Sequence, residues 1–244
     1  MKVIVVKDYK ELSEKAFEVI KEVVTTEKRP ALGLATGSSP VGLYKLMIED
    51  HKLNNTDYSN VKTYNLDEYT GLKKEHSQSY YSFMHDNLFY GLNIPEENIH
   101  IPLGDTDDLV KACNDYNAIL KDAVVDVQVL GIGANGHIGF NEPGTSFDSL
   151  THIVELKEKT RLDNKRFFNS LDEVPTHAIT MGIATIMNAK KVLLVANGLN
   201  KAKAVKAMIE GEITVDCPAS ALQKHDDCIV IIDEEAASLL DKKY

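Results

Sequence analysis

Asp126-Val127-Gln128-Val129-Leu130-Gly131-Ile132-Gly133-Ala134-Asn135-Gly136-His137-Ile138-Gly139-Phe140-Asn141-Glu142-Pro143-Gly144 is the stretch whose reading decides the fold. Its first part, Asp126–Gly131, is almost wholly apolar, the pattern of a strand buried on both faces of a parallel sheet. Gly131–Gly136 then fits GxGxxG, which in a dinucleotide site must open a long helix. Here Gly139, Pro143 and Gly144 break any helix, so the stretch reads as a strand running into an irregular loop. A His and a Glu five residues apart would by themselves read as structural. Their setting, dense in Gly and Asn directly after a buried strand, points instead to chemistry. Imidazole titrates near neutrality and a carboxylate can orient it or raise its pKa, so His137 and Glu142 form a candidate proton-transfer pair.

Outward from this strand, short β-branched runs alternate with helical patterns. Strands are expected at Lys2–Val6, Ala31–Ala35, Val61–Asn65, Ile99–Ile101, Lys191–Ala196 and Cys228–Ile232. Between them lie a helix opened by an Asp8/Glu11 capping box, a helix with Ser39 as N-cap and Pro40 at its first position, and a helix over Ser77–Tyr90. A further helix is capped by Asp105 and runs to Ala123. The alternation predicts a doubly wound α/β fold: a mainly parallel sheet, right-handed crossovers and helices on both faces. No repeat or linker divides the chain, so residues 1–244 read as a single domain. Residues 151–175, polar and rich in Lys and Arg, read as a surface excursion or lid.

Composition narrows the function classes. The chain has 244 residues, long enough to bury a large core without disulfide or metal staples, and 43% of them are hydrophobic. A net charge of −10 makes nucleic acid and anionic membrane poor partners, while leaving room for a small cationic pocket. Cys113, Cys217 and Cys228 lack metal or redox spacing and read as reduced thiols. The apolar run Val3–Val6 is far too short for a signal peptide or membrane span, so the expected compartment is the cytoplasm.

Ligands of open parallel sheets bind beyond the carboxyl ends of the strands. Four strand ends carry the candidates. Thr36-Gly37-Ser38-Ser39 is a strand-to-helix turn able to bind an anion through backbone N–H groups and hydroxyls. Asp67 and Glu68 follow the strand ending near Asn65 and offer a base raised in pKa by burial or like charge; their spacing does not suggest a metal site. The His137–Glu142 loop is the third. Lys201, after Lys191–Ala196, could reach a phosphate, and Arg161 and Arg166 include a possible bidentate clamp.

Taken together these segments resemble the glucosamine-6-phosphate deaminase family, of the same broad fold group as 6-phosphogluconolactonase and ribose-5-phosphate isomerase. The residues that carry the resemblance are Thr36–Pro40, Asn65-Leu66-Asp67-Glu68-Tyr69, Lys74-Glu75-His76, Ser79-Tyr80-Tyr81-Ser82-Phe83-Met84, Gly136–Pro143 and Asn164-Lys165-Arg166-Phe167-Phe168. The resemblance implies a modified Rossmann-like fold and conversion of glucosamine 6-phosphate and water to fructose 6-phosphate and ammonia, with neither cofactor nor metal. It implies that His137 and Glu142 open the sugar ring and that Asp67 moves a proton between C2 and C1. It places the phosphate on Thr36, Gly37, Ser38 and Ser39, with Arg166 and Lys201 neutralising it. Many family members have aspartate where this chain has Asn135, whose carbonyl could still accept from the imidazole and fix its tautomer. Thr151-His152-Ile153-Val154 lacks the basic residues of allosterically activated members, so weak or no activation by N-acetylglucosamine 6-phosphate is expected. The resemblance leaves the subunit count open. The enzyme rival is a 6-phosphogluconolactonase. A sugar-phosphate sensor is disfavoured, because there is no room for a DNA-binding element.

Overall fold

The computed structural model of the chain describes residues 1–158, 161–162, 165 and 168–244. Seven strands form one sheet: β1 (Lys2–Val6), β2 (Ala31–Leu34), β3 (Lys62–Asn65), β5 (Ile99–His100), β6 (Val127–Leu130), β9 (Lys191–Ala196) and β10 (Cys228–Asp233). Their side chains alternate between two cores. Leu32, Leu34, Val127, Val129, Leu193, Val195 and Ile231 enter one apolar cluster. Leu130, Val192, Leu194, Ala196, Val230 and Ile232 enter the other. Successive residues of a strand point to opposite faces, so apolar residues at both parities require cover on both sides. On the first face lie α1 (Tyr9–Thr26), α2 (Val41–Asn54) and α3 (Tyr80–Asn87), through residues such as Leu12, Ile20, Tyr44 and Met84. On the second lie α4 (Leu109–Asp122), α5 (Ile183–Met187), α6 (Ala202–Glu210) and α7 (Glu234–Ala237), through Tyr116, Ile186, Val205 and Ala236.

The strand order is β1-β10-β9-β6-β2-β3-β5, and every pairing is parallel. From β2 the chain builds outward through β3 to β5, then returns to lay β6 against the other side of β2 and builds outward again. The direction therefore reverses between β2 and β6, the position where open α/β sheets bind ligands.

A second sheet, order β4-β8-β7, is antiparallel: β4 (Asp67–Tyr69), β8 (His177–Thr180) and β7 (His152–Glu155). The main chain crosses between the sheets at Leu66, whose N–H donates to Leu34 O (3.1 Å) and whose carbonyl accepts from Met181 N (2.6 Å). Asp67 is the first residue across. Tyr69, Phe140, Leu156 and Ala178 form a small separate core for this sheet.

The expected doubly wound sheet is present, with corrections of detail. The small sheet was not foreseen, and part of the expected excursion, His152–Glu155, is its edge strand. Ser39 does not cap α2: Pro40 occupies the N-cap position and no side chain of the turn accepts there. Asp108, not Asp105, caps α4, accepting from Lys111 N. Ser79 caps α3, three residues shorter at each end than expected, with Phe89–Gly91 continuing as a 3₁₀ turn. At α1, Asp8 accepts from Glu11 N as expected, but Glu11 reaches back to Lys7 N instead of Asp8 N. No described helix is long and apolar enough to cross a membrane.

Candidate active site

A cavity of about 1080 Å³ opens over the β2/β6 reversal, lined by Ala35–Val41, Asp67, Gly131–Ala134, His137, Phe140, Asn197 and Lys201 among others. One wall is the turn after β2. Gly37 has φ +99°, and a side chain there would meet nothing within 4 Å, so glycine is required by the backbone and not by crowding. Among the described residues no acceptor engages the N–H groups of Gly37, Ser38 or Ser39. Three successive free donors stand at the N-terminus of the 14-residue α2, a ready anion site.

Across the cavity, Lys201 ends the 3₁₀ turn Leu199–Lys201 after β9 and donates from Nζ to Ile132 O (2.8 Å). Burial pushes its pKa down. Among the described residues it has no carboxylate partner, so its charge stays available to an anion. The β9 turn is hung on Asp233, both of whose carboxylate oxygens accept from Gly198 N at 3.0 and 2.9 Å. Ser39 Oγ and Asn197 Oδ1 meet at 3.4 Å between the two turns.

Asp67 and its neighbour Glu68 separate sharply. Asp67 is 6% exposed, faces the cavity, and has its pKa raised to about 8 by burial and then by the charge of Glu68. Adjacent residues of a strand point opposite ways. Glu68 accordingly faces away and accepts from Tyr69, Tyr80 and Tyr81 N–H at 2.8, 2.9 and 2.9 Å. It holds the N-terminus of α3 against β4 and is not a second base. Burial, and then Asp67 among other charges, keeps the phenols of Tyr44, Tyr80 and Tyr116 protonated around the acid.

The loop after β6 presents the His–carboxylate pair. Gly133 makes room for it, because a Cβ there would fall 2.3 Å from the His137 ring. His137 Nδ1 lies 3.3 Å from Glu142 Oε1, within ion-pair distance but off line for a full hydrogen bond. Glu142 is brought down to about 2, chiefly by His137. Its other oxygen accepts from Asn135 Nδ2 (2.8 Å) and meets Lys157 Nζ at 3.4 Å. Asn135 therefore differs from its expected part. Its carbonyl accepts from the main-chain N–H of His137 (3.3 Å) rather than from the imidazole, and its amide orients Glu142. Ala219 N–H to Gly136 O (2.9 Å) and Gly144 N–H to Val215 O (2.9 Å) brace the loop at both ends.

Asp67, His137, Lys201 and the Thr36–Ser39 turn thus meet in one cavity. Arg166 lies outside the described residues; Arg161 bonds Leu171 and Val174 carbonyls and serves structure. Sequence reasoning missed Lys157, Phe140 and Tyr80 as neighbours of the site. The two aromatic residues carried no periodic signal, but they lie inside the quoted motifs, where no role was assigned to them. Among the described residues no group of three His, Cys, Asp or Glu side chains is placed to hold a metal ion.

A doubly wound α/β sheet, an anion-ready turn at its reversal point, a buried acid and a His–carboxylate pair define an acid–base site for a small anionic molecule. Comparison with known proteins narrows this. The family described as Glucosamine-6-phosphate isomerases/6-phosphogluconolactonase matches residues 8–231. A protein of Clostridium botulinum (strain Alaska E43 / Type E3) named glucosamine-6-phosphate deaminase is 52% identical over 244 residues, covering 100% of this chain and 98% of that protein. One of the same name from Thermoanaerobacter sp. (strain X514) is 52% identical over 241 residues, covering 98% and 95%. The solved structure of a monomeric glucosamine-6-phosphate deaminase superposes with TM-score 0.95 at 46% identity, covering 98% of this chain and 100% of that one. A 6-phosphogluconolactonase from Trypanosoma cruzi shares the fold, with TM-score 0.78 at 21% identity over 99% of this chain and 97% of that one. The chain belongs to the glucosamine-6-phosphate isomerase/6-phosphogluconolactonase family.

Proposed function

We propose that the chain is a glucosamine-6-phosphate deaminase, converting glucosamine 6-phosphate and water to fructose 6-phosphate and ammonia. The observation that carries the reading is Asp67: a buried carboxyl facing the cavity, raised to about 8, opposite the His137–Glu142 loop. A lactonase only adds water to an ester and needs no base at a sugar carbon. A carboxyl poised near neutrality suits abstraction of a carbon-bound proton. The full-length relatives at about half identity carry the deaminase name, whereas the lactonase at 21% shares the fold alone.

The substrate's phosphate sits on the free N–H groups of Gly37, Ser38 and Ser39, with Lys201 supplying charge and Arg166 a second cation. Glu142 occupies the Nδ1 side of His137, so Nε2 is the nitrogen offered to the sugar. It takes the proton of the C1 hydroxyl and returns one to the ring oxygen, which opens the pyranose. Glu142 stabilises the imidazolium formed in between. Asp67 then removes the C2 proton of the amino aldehyde and delivers it to C1, leaving an imine at C2. Water adds at C2 and ammonia leaves. General acid–base steps of this kind supply about 10²–10⁴-fold each, and positioning much of the remainder.

The phosphosugar is a small cytosolic metabolite, which fits an acidic protein and the cytoplasm. The test is a coupled assay of ammonia release from glucosamine 6-phosphate beside hydrolysis of 6-phosphogluconolactone. Ammonia release with at most trace lactone hydrolysis is expected, and lactone hydrolysis without ammonia would reverse the assignment.

A further inference from the structure

The anion turn owes its shape to a residue outside the cavity. Helix α2 begins at Val41 with Pro40 before it, and no side chain of its own segment accepts from its first turn. Helix N-termini leave donors that must be satisfied by something else. Here the partner is Tyr9, at the start of α1, 33 residues away in sequence from Gly42. Gly42 N–H donates to the Tyr9 hydroxyl at 2.8 Å, and the same hydroxyl donates to Ser38 O at 2.8 Å. Glycine at 42 is what lets α1 come this close: a Cβ there would lie 2.1 Å from Ser13 Oγ and 3.1 Å from Tyr9 Oη.

The second bond, the shorter of two that Ser38 O accepts (the other is from Val41 N–H, 3.4 Å), fixes the direction of the turn. No peptide bond in the described chain is cis. In a trans peptide the carbonyl of one residue and the N–H of the next lie in one plane and point opposite ways. Drawing Ser38 O outward onto Tyr9 therefore turns Ser39 N–H the other way, toward the cavity that Ser38 and Ser39 line. The first bond has a complementary effect. By taking up Gly42 N–H, Tyr9 caps the helix from outside, so neither the Ser38 nor the Ser39 hydroxyl is spent on capping.

We propose that Tyr9 is a positioning residue: its hydroxyl caps α2 from the neighbouring helix and fixes the Ser38–Ser39 peptide so that the turn's donors face the substrate's anionic group. The inference rests on the reading of that turn as the phosphate site. Tyr9 touches neither the substrate nor the reacting carbons, so it acts on affinity and not on proton transfer.

Tyr9→Phe removes one oxygen and leaves the ring in place. Steady-state kinetics on glucosamine 6-phosphate would be run for wild type and variant, with inorganic phosphate as competing anion. A rise of about tenfold in both KM and the phosphate inhibition constant is expected, about 1.4 kcal/mol, with kcat within about twofold. The rise in thermal midpoint produced by saturating phosphate should be smaller in the variant, a reading independent of turnover. If phosphate competes in wild type and Tyr9→Phe changes neither constant, the inference is wrong and the proposed function stands. A fall in kcat with KM unchanged also overturns it. If phosphate fails to compete in wild type, the turn is not an anion site, and both that reading and this inference fall.

Discussion

The two sheets meet at one cavity but furnish it differently. The parallel sheet contributes N–H groups after β2 that no acceptor among the described residues engages, the His137–Glu142 loop after β6 and a lysine after β9, all at strand ends. The antiparallel sheet contributes side chains of β4, Tyr69 and above all Asp67, at the residue where the chain leaves the larger sheet for the smaller. Donors and a cation suit holding an anion in place. A buried acid raised in pKa suits moving a proton. On the proposed reading the small sheet moves the carbon-bound proton, while the large sheet holds the anion and carries the ring-opening pair, so substitutions at the anion turn and at the acids should change different kinetic constants.

The largest effect short of Asp67 itself is expected at the His–carboxylate pair. Glu142→Gln keeps shape and the Asn135 contact but loses the charge beside the imidazole, and ammonia release should fall by about 100-fold in kcat. An unchanged kcat would detach the loop from the chemistry. On the binding side, Lys201→Met should raise KM by roughly 10–30-fold with kcat nearly intact, because it removes a charge–phosphate contact and leaves Asp67 alone. A fall in kcat of the same size would erase the division between the walls.

A smaller effect sharpens the comparison through stability. Asp67 is raised from 3.8 to about 8 in the folded chain, so between those values the native state binds more protons than the unfolded one. By linkage, stability contributed by the protonated form is lost as pH rises through that window. Asp67→Asn, which cannot ionise, should melt above wild type at pH 9 by at least about 3 °C, with the gap shrinking toward pH 4. A gap independent of pH would show that Asp67 is not raised. The same raised carboxyl, which must lose its proton to act as base, predicts kcat/KM climbing with pH toward 8; the groups coupled to it are Glu68, through its charge from the other face of the strand, and the phenols of Tyr44, Tyr80 and Tyr116. Least is expected at Asn135. Asn135→Asp sets a second carboxylate against Glu142 Oε2, 2.8 Å from the present amide, and activity should change by less than about tenfold. A gain above a hundredfold would mean that the asparagine form is impaired.

What the sequence showed and what it hid follow the same line. The seven parallel strands were legible because short apolar or β-branched runs alternate with longer helical patterns, even where, as in Lys62–Asn65, the run is not apolar throughout. The strands Asp67–Tyr69, His152–Glu155 and His177–Thr180 are three or four residues long and each carries polar residues on both faces, so no apolar run marks them. Asp67 was still found, since it follows a strand end. Its separation from Glu68 was not, because which of two adjacent acids turns inward depends on the β4–β8 register. Its type and its place before proline suit Ser39 to the cap. The actual cap is a tyrosine hydroxyl from another helix, which no local pattern encodes. Asp105 and Asp108 illustrate the same limit within Asp105-Thr106-Asp107-Asp108, where three equivalent caps compete.

The central claim is that Asp67 carries hydrogen between C1 and C2 of the open sugar. Its most direct test is solvent exchange at C1 of fructose 6-phosphate with ammonium in D₂O, followed by proton NMR for wild type and Asp67→Asn. One C1 proton signal should be lost steadily in wild type. In the variant none should be lost over the same time, with fructose 6-phosphate still bound. Exchange in Asp67→Asn at the wild-type rate would contradict it.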